Sequence, residues 1–393
     1  MESSSTLPGM LTGLATLENT DWSRLHHAYG RATDTPDYLR ALLREDADSR
    51  NQAMEHLWSA VIHQGTPWTC TGPAALVVAG LLSDPRIDRG HPVRVNLISF
   101  LVEVAMAATM EDVDLRTLEQ EAAYDLEPLI DANDEEALYG AGEASNAFMA
   151  RSVLGCIRAA PVLLEVMLEG LENPDPQMRA NAAMGAVALC KTECLRERMP
   201  EVQTKLMTLA QTAQDTDERS AHVLALGDSG VSPSLFLEDL SPPVRLCAAL
   251  APGLESDPIA LDELIGALET GKIDGWFVER PPQFSMCPRF SAIARVVEQV
   301  KEFGRLVNAA IATVALSSKY TVDQDWGPFL AMAFADGSGT VKTDSQRRFL
   351  EALVNRTELW DQRFGNAQKW FKKAGLPFDR GECVRRLKRN PGT

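Results

Sequence analysis

Six histidines are spread over 393 residues, and four of them, His26, His27, His56 and His63, fall in the first 63 positions. Imidazole is a common zinc ligand, so the spacing of these four decides what metal chemistry the sequence supports. His56 and His63 lie seven apart, on or beside one helix, with His26 and His27 upstream. A tetrahedral site takes further ligands at defined spacing, and neither a Cys-x-x-Cys pair nor a His-Glu-x-x-His motif occurs. The histidines are expected in turns or in the core, with no metal bound. Cys190 and Cys194, at i and i+4, are expected to face the same way on a helix and to serve as small apolar residues.

Other chemical motifs fail on single residues. Asp131 to Glu136 puts Glu136 where a calcium loop needs glycine, and Asp336 to Arg347 has Val341 there and Arg347 in place of the bidentate glutamate. Gly337-Ser338-Gly339 is too short to cradle phosphates, and no Gly-x-Ser-x-Gly elbow is present. The reading is a chain with no catalytic residues and no cofactor. Aromatic residues are the remaining signal, because they dominate hot spots in protein interfaces. Trp22, His26, His27, Tyr29, His63 and Trp68 form the candidate partner-binding set, joined by Trp276 and Phe277 in one loop and by Trp360 and Trp370 near the C-terminus.

The elements that would carry these residues are helices. Pro174 and Pro176 end one helix, because neither has a backbone N–H, and Asp175 can cap the next. Met178, Ala182, Val187 and Leu189 give that next helix an apolar stripe, while Ala180, Ala183, Gly185, Ala186 and Ala188 keep the rest of its surface small. Such a helix needs similar neighbours to bury it. Arginines in comparable positions recur at Arg50, Arg94, Arg179, Arg219 and Arg245, with steps of 44, 85, 40 and 26 residues, the second close to a double step and the last a truncated unit. Asp175 to Ala186 and Ser241 to Leu250 resemble HEAT repeats of the PBS-lyase type. The chain is also similar to bacterial, largely actinobacterial, HEAT-repeat proteins of unassigned function. That likeness lies in Asp21-Trp22-Ser23 with His27-Ala28-Tyr29-Gly30, in His63-Gln64-Gly65-Thr66, and in Gly365-Asn366-Ala367 with Trp370-Phe371 and Ala374-Gly375-Leu376-Pro377. The resemblance implies an all-α fold, a right-handed α-solenoid of degenerate repeats with a helical C-terminal cap.

In order, residues 1–20 are expected to be poorly ordered, 21–320 to form the solenoid, and 321–393 to form the cap with a basic tail. Asp21 to Gly30 reads as a short helix, Ala137 to Phe148 and Val153 to Leu171 as two paired helices with Pro161 near a helix start or kink, and Gly271 to Arg289 as a long loop that is functional or covers apolar surface. A formal charge of −17 argues against a general nucleic-acid binder, which needs a basic footprint. The charge is uneven: Glu111 to Glu143 holds twelve acids against one arginine, read as a solvated helix face, and Lys369 to Thr393 holds eight basic residues against two acids. No secretory leader or long uncharged apolar run is evident, and scattered cysteines suit a reducing compartment, so the expectation is a cytoplasmic protein with no membrane span.

Three functions compete. The first is a non-enzymatic scaffold that binds a protein partner, regulatory or immunity-type, on the concave face or loops. The second is a HEAT-like alkylpurine DNA glycosylase, to which the basic tail with Trp360 and Trp370 would contribute. The third is chromophore lyase-like binding of a small molecule. The absence of catalytic motifs and the acidic charge favour the scaffold.

Overall fold

An aspartate at the head of a helix and an arginine four residues later organise much of this chain. Asp46, Asp175 and Asp215 each accept a backbone N–H of their helix's first turn, from Ser49, Gln177 and Glu218 at 2.7, 2.9 and 2.8 Å, satisfying donors that the helix start leaves open. Arg50, Arg179 and Arg245 then turn back and donate to a carbonyl six residues earlier, those of Arg44, Asn173 and Asp239. The guanidinium thus closes the turn before its own helix with a charge-assisted bond. Arg94 reaches the Leu82 carbonyl across the preceding turn, and Arg219 pairs with the Asp239 carboxylate instead.

The computed structural model describes residues 10–87, 91–109 and 114–388. Residues 1–9 of the expected disordered start, 111–113 of the acidic stretch and 389–393 of the basic tail lie outside these. Among the described residues the fold is all-α apart from two short two-stranded ribbons. Contacts divide the chain into two units, Met1–Thr208 and Leu209–Thr393, a division inside the Met199–Thr212 helix.

In the first unit the Thr71–Leu81 helix is central. It packs against Gly13–Asn19 on one side and Glu143–Gly170 on the other. Both crossings are at backbone contact. A Cβ on Gly80 would stand 2.2 Å from the Gly13 nitrogen, and one on Gly72 would stand 2.4 Å from the Gly155 oxygen. The Pro176–Lys191 helix packs on His91–Ala107 and on Glu143–Gly170. Its small residues serve that approach: a Cβ on Gly185 would sit 2.7 Å from the Met167 sulfur.

In the second unit Thr216–Asp228, Pro242–Leu250, Pro258–Glu269, Val307–Leu316, Asp344–Asn355 and Arg380–Lys388 pack each on the next. The Asp344–Asn355 helix opens with a full capping box between Thr343 and Gln346. Gln346 also donates to the Ala333 carbonyl at 2.7 Å, tying that start to the helix before it.

Four elements differ from the sequence reading. Residues 13–19, expected to be loose, form a helix with Leu17 buried. Asp21 to Gly30 is not a helix but a 3-10 turn, Trp22–Arg24, followed by a hairpin. Glu143–Gly170 is one helix of 28 residues that runs through Pro161, its burial outweighing the bond that proline cannot make. By length and composition this helix is apolar enough to cross a membrane, and 61% of its most apolar window is buried inside the protein. The fourth difference is Cys194: the Pro176–Lys191 helix ends before it, leaving Cys190 buried and Cys194 exposed on the next turn.

The Gly72 crossing gives a contrast to measure. Gly72→Ala is expected to lose about 1–3 kcal/mol through overpacking. Gly155→Ala, whose Cβ meets nothing closer than 3.9 Å, should be neutral or gain up to about 1 kcal/mol of helix propensity. Equal losses of thermal stability in the two variants would contradict a one-sided backbone contact.

Candidate functional site: paired hairpins with buried histidines

Two tiny antiparallel ribbons bring together most of the histidines. In the first, β1 (His26–His27) pairs with β2 (Gly30–Arg31); in the second, β3 (Ile62–His63) pairs with β4 (Thr66–Pro67). The second turn has both central residues in the left-handed region, Gln64 at φ 52° and Gly65 at φ 79°, the geometry whose twist matches that of the flanking strands. The ribbons are bonded to each other's surroundings. Ala28 N–H donates to the Ala60 carbonyl at 3.0 Å, Cys70 N–H to the His26 carbonyl at 3.2 Å, and His26 N–H to the Thr69 hydroxyl at 2.8 Å. Thr71, buried at the start of the central helix, accepts from Trp68 N–H at 2.8 Å and donates to the Val61 carbonyl.

Successive strand residues point to opposite faces, so His26 and His27 enter different environments. His26 meets an aromatic cluster, with ring centroids 6.1 Å from Tyr139 and 5.6 Å from Phe148. Trp68 completes it, 5.3 Å from Tyr139 and 5.9 Å from Phe148. Both His26 ring nitrogens, Trp68 Nε1 and the Tyr139 hydroxyl are buried without a hydrogen-bond partner in the protein. Burial, reinforced by Arg31 and His27 and opposed by Glu135, holds the His26 imidazole below its usual range; burial likewise pushes the Tyr139 phenol up to about 12.

His27 faces Asp34, His56 and the Tyr29 turn. Its Nε2 lies 3.0 Å from Asp34 Oδ1, and its Nδ1 accepts Tyr29 N–H at 3.0 Å. A backbone amide always donates, so the neutral ring carries its proton on Nε2 and gives it to Asp34. His56 meets the Thr35 hydroxyl through Nε2 at 2.9 Å, stacks on Tyr38 at 4.2 Å, and stands edge-on to His27 at 5.3 Å. Burial takes the His56 imidazole down to about 4, opposed by Asp34. His27, Asp34 and His56 each offer one ligand atom within 4.8 Å of the others. His63 instead bonds the Ser59 carbonyl at 2.7 Å and lies 5.9 Å from Tyr29, which is 68% exposed.

The acidic stretch is fastened to this structure by arginines. Arg24 pairs with Glu127 and with Asp131 at 2.9 Å. Arg31 donates to Asn133 at 2.6 Å and to the Ile130 carbonyl. Arg151 takes the Ala122 and Tyr124 carbonyls at 3.1 and 2.8 Å. Leu118, Leu126, Ile130 and Leu138 are buried beneath.

The structure therefore unites His26, His27, Tyr29, His63 and Trp68, and separates the other candidates. Trp22 is buried and donates to the Leu17 carbonyl at 3.0 Å, so it is an anchor with no surface to offer. In the second unit Phe277 packs on Phe284 at 5.9 Å and Trp276 is half-buried. Their loop is laid on the Thr216–Asp228 helix: Asp217 accepts Val278 and Glu279 N–H at 2.8 and 2.7 Å, and Gln283 donates to the Ala221 carbonyl at 3.0 Å. Trp360 stacks on Phe378 at 5.4 Å and donates to the Leu353 carbonyl, while Trp370 donates to Asp323 at 2.7 Å beneath Lys373. Trp360 also edges an open cavity of about 470 Å³ with Lys319, Tyr320, Arg356 and Asp361, where Lys319 is neutralised by Asp361 at 2.9 Å.

Asp34, Tyr38, Tyr139 and Phe148 were outside the sequence-derived set. Asp34 carries one usable signal, a carboxylate seven residues after a histidine across a Gly-containing turn. Tyr139 and Phe148 carry none, since nothing local relates them to residues 26–68.

Thr71→Val should cost about 1–3 kcal/mol in urea unfolding, because it leaves a partly buried Trp68 N–H without its acceptor. Thr71→Ser keeps the hydroxyl and should recover most of that loss. A serine variant as unstable as the valine variant would mean that the methyl group, not the hydroxyl, holds the hairpin.

No family model and no curated protein matches the chain. Among solved structures, the crystal structure of an engineered protein from the Northeast Structural Genomics Consortium aligns with 91% of this chain and 100% of its own, at 13% identity and a TM-score of 0.31, too low to bear on fold or function.

Proposed function

We propose that this chain is a non-enzymatic scaffold of HEAT-type helical repeats that binds a protein partner through the loops of its first unit. The repeat reading is supported by the Asp cap and the arginine that closes the preceding turn, used in the same register at Arg50 and Arg179 and, with Ser241 at the cap, at Arg245. The one-on-the-next helix packing of the second unit agrees with it. A solenoid array and a helical cap are part of the proposal.

The observation that carries the binding surface is Tyr29. Its ring is 68% exposed at the tip of a hairpin whose backbone is fixed by His27, Ala60 and Cys70. A large amphipathic side chain held rigidly in solvent loses little conformational entropy when a partner covers it. His63, edge-on to it, extends the surface. Reducing conditions suit the protein: Cys70, Cys156, Cys190, Cys247 and Cys383 are buried as free thiols, and burial pushes Cys156 up to about 12. A cytoplasmic location belongs to the same proposal.

Affinity capture from the native cell with the intact chain, beside a Tyr29→Ser/His63→Ser variant, tests this. A stoichiometric protein present with the first and at least tenfold depleted with the second is the expected result. Capture of nothing above background, or of the same protein equally by both, would defeat the assignment. Nucleic acid released by moderate salt would instead favour the DNA-binding alternative.

A further inference from the structure

The cluster beneath the Tyr29 turn stands apart from any question of a protein partner. We propose that His27, Asp34 and His56 form a three-ligand site for a divalent first-row transition ion, with Zn²⁺ the best match. Two imidazoles and one carboxylate are a donor set suited to zinc and its neighbours and unsuited to Mg²⁺ or Ca²⁺, which take oxygen ligands. Metal–ligand distances of about 2.0–2.2 Å place tetrahedral donor atoms roughly 3.3–3.6 Å apart. His27 Nε2 and Asp34 Oδ1 already lie 3.0 Å apart, and no pair in the set exceeds 4.8 Å. Bringing every pair to that separation takes movements of no more than about an ångström, and the Asp34 side chain is half exposed. The two histidines are buried and Asp34 faces solvent, so an ion would enter from the Asp34 side and keep room for a water ligand there.

The ring orientations are set from outside the cluster. Tyr38 stacks on His56, and the Thr35 hydroxyl holds its Nε2. Supports of this kind fix the rotamers of metal-binding histidines. Two hydrogen bonds oppose the ion: because Nδ1 of His27 accepts Tyr29 N–H, the Nε2 lone pair is occupied by a proton, which Nε2 donates to Asp34. Coordination through Nε2 moves that proton to Nδ1, with no net proton released from the ring, and the Tyr29 amide loses its acceptor. The stranded Tyr29 amide and the lost His27–Asp34 hydrogen bond together weaken binding by about a hundredfold, a cost that three coordinate bonds must exceed. Occupancy of the site therefore frees the Tyr29 amide.

The full chain titrated with Co²⁺ in place of Zn²⁺ should bind one equivalent with the spectrum of a nitrogen and oxygen site, without the thiolate bands that exposed Cys194 would give. His27→Gln and His56→Gln should each weaken binding by at least about tenfold, while Asp37→Asn, nearby but paired with Arg40 at 3.1 Å, should not change it. A readout that needs no variant is amide exchange: bound metal should speed exchange at Tyr29, and paramagnetic Co²⁺ should shift the ring protons of His27 and His56. No bound equivalent at millimolar Co²⁺, a thiolate spectrum, unshifted histidine rings, or binding that persists in the His27→Gln/His56→Gln double variant would overturn the proposal.

Discussion

The first unit depends on the place where Gly72 touches Gly155. Two helices meet there with no side chain between them, so the start of the Thr71–Leu81 helix is located by backbone against backbone, and tight cores leave little room to adjust. Everything upstream inherits that position. Thr71, one residue earlier, holds Val61 and Trp68, and the residues that follow Trp68 hold the His26 backbone. The Glu143–Gly170 helix that supplies Gly155 also supplies Phe148, one wall of the aromatic cluster. One crossing therefore sets the depth of both hairpins and of the ring cluster they meet.

Buried polar groups are distributed unevenly around it. The His27 face is satisfied, with Asp34, Tyr29 N–H and Thr35 meeting the two imidazoles. On the His26 face four buried polar atoms have no protein partner, a cost of desolvation that the rings around them must offset. Two adjacent histidines thus experience opposite chemistry because a strand alternates its faces. The acidic stretch serves this arrangement: Arg24 and Arg31, on the hairpin side, fasten Glu127, Asp131 and Asn133 beside it.

Much of the helical skeleton was legible in the residues themselves. Asp-Pro marks the start of the Pro176–Lys191 helix, because caps and proline act locally, whereas its end comes before the Cys194 that the spacing placed on it. The recurrent arginines were visible as a spacing, although their task, bonding the carbonyls of the turn before, was not. The hairpin at His26 to Arg31 was misread as helix because Asp21 and Gly30 are as good a helix start and stop as they are turn residues, and two-residue strands are too short to show a period. The sequence pattern breaks between Phe148 and Val153 and marks Pro161 as a start or kink, but packing along 28 residues carries one helix through both. Within the site, the importance of residues 26–29 and 63–68 was apparent from their aromatic and histidine content. The pairing of His56 with His27 and Asp34, in preference to His63, was not, since it arises from strand direction and not from helical spacing.

The aromatic cluster also imposes an order on synthesis. Trp68 leaves the ribosome 80 residues ahead of Phe148, and at about 5–20 residues per second that is an interval of roughly 4–16 s. During it the His26 side has no wall, and ribbons of two residues per strand are not stable by themselves, so the apolar side chains of this segment face the crowded exterior of the exit tunnel. Residues 26–71 thus make up a nascent segment that waits for its other half, and the Glu143–Gly170 helix is the event that ends the wait.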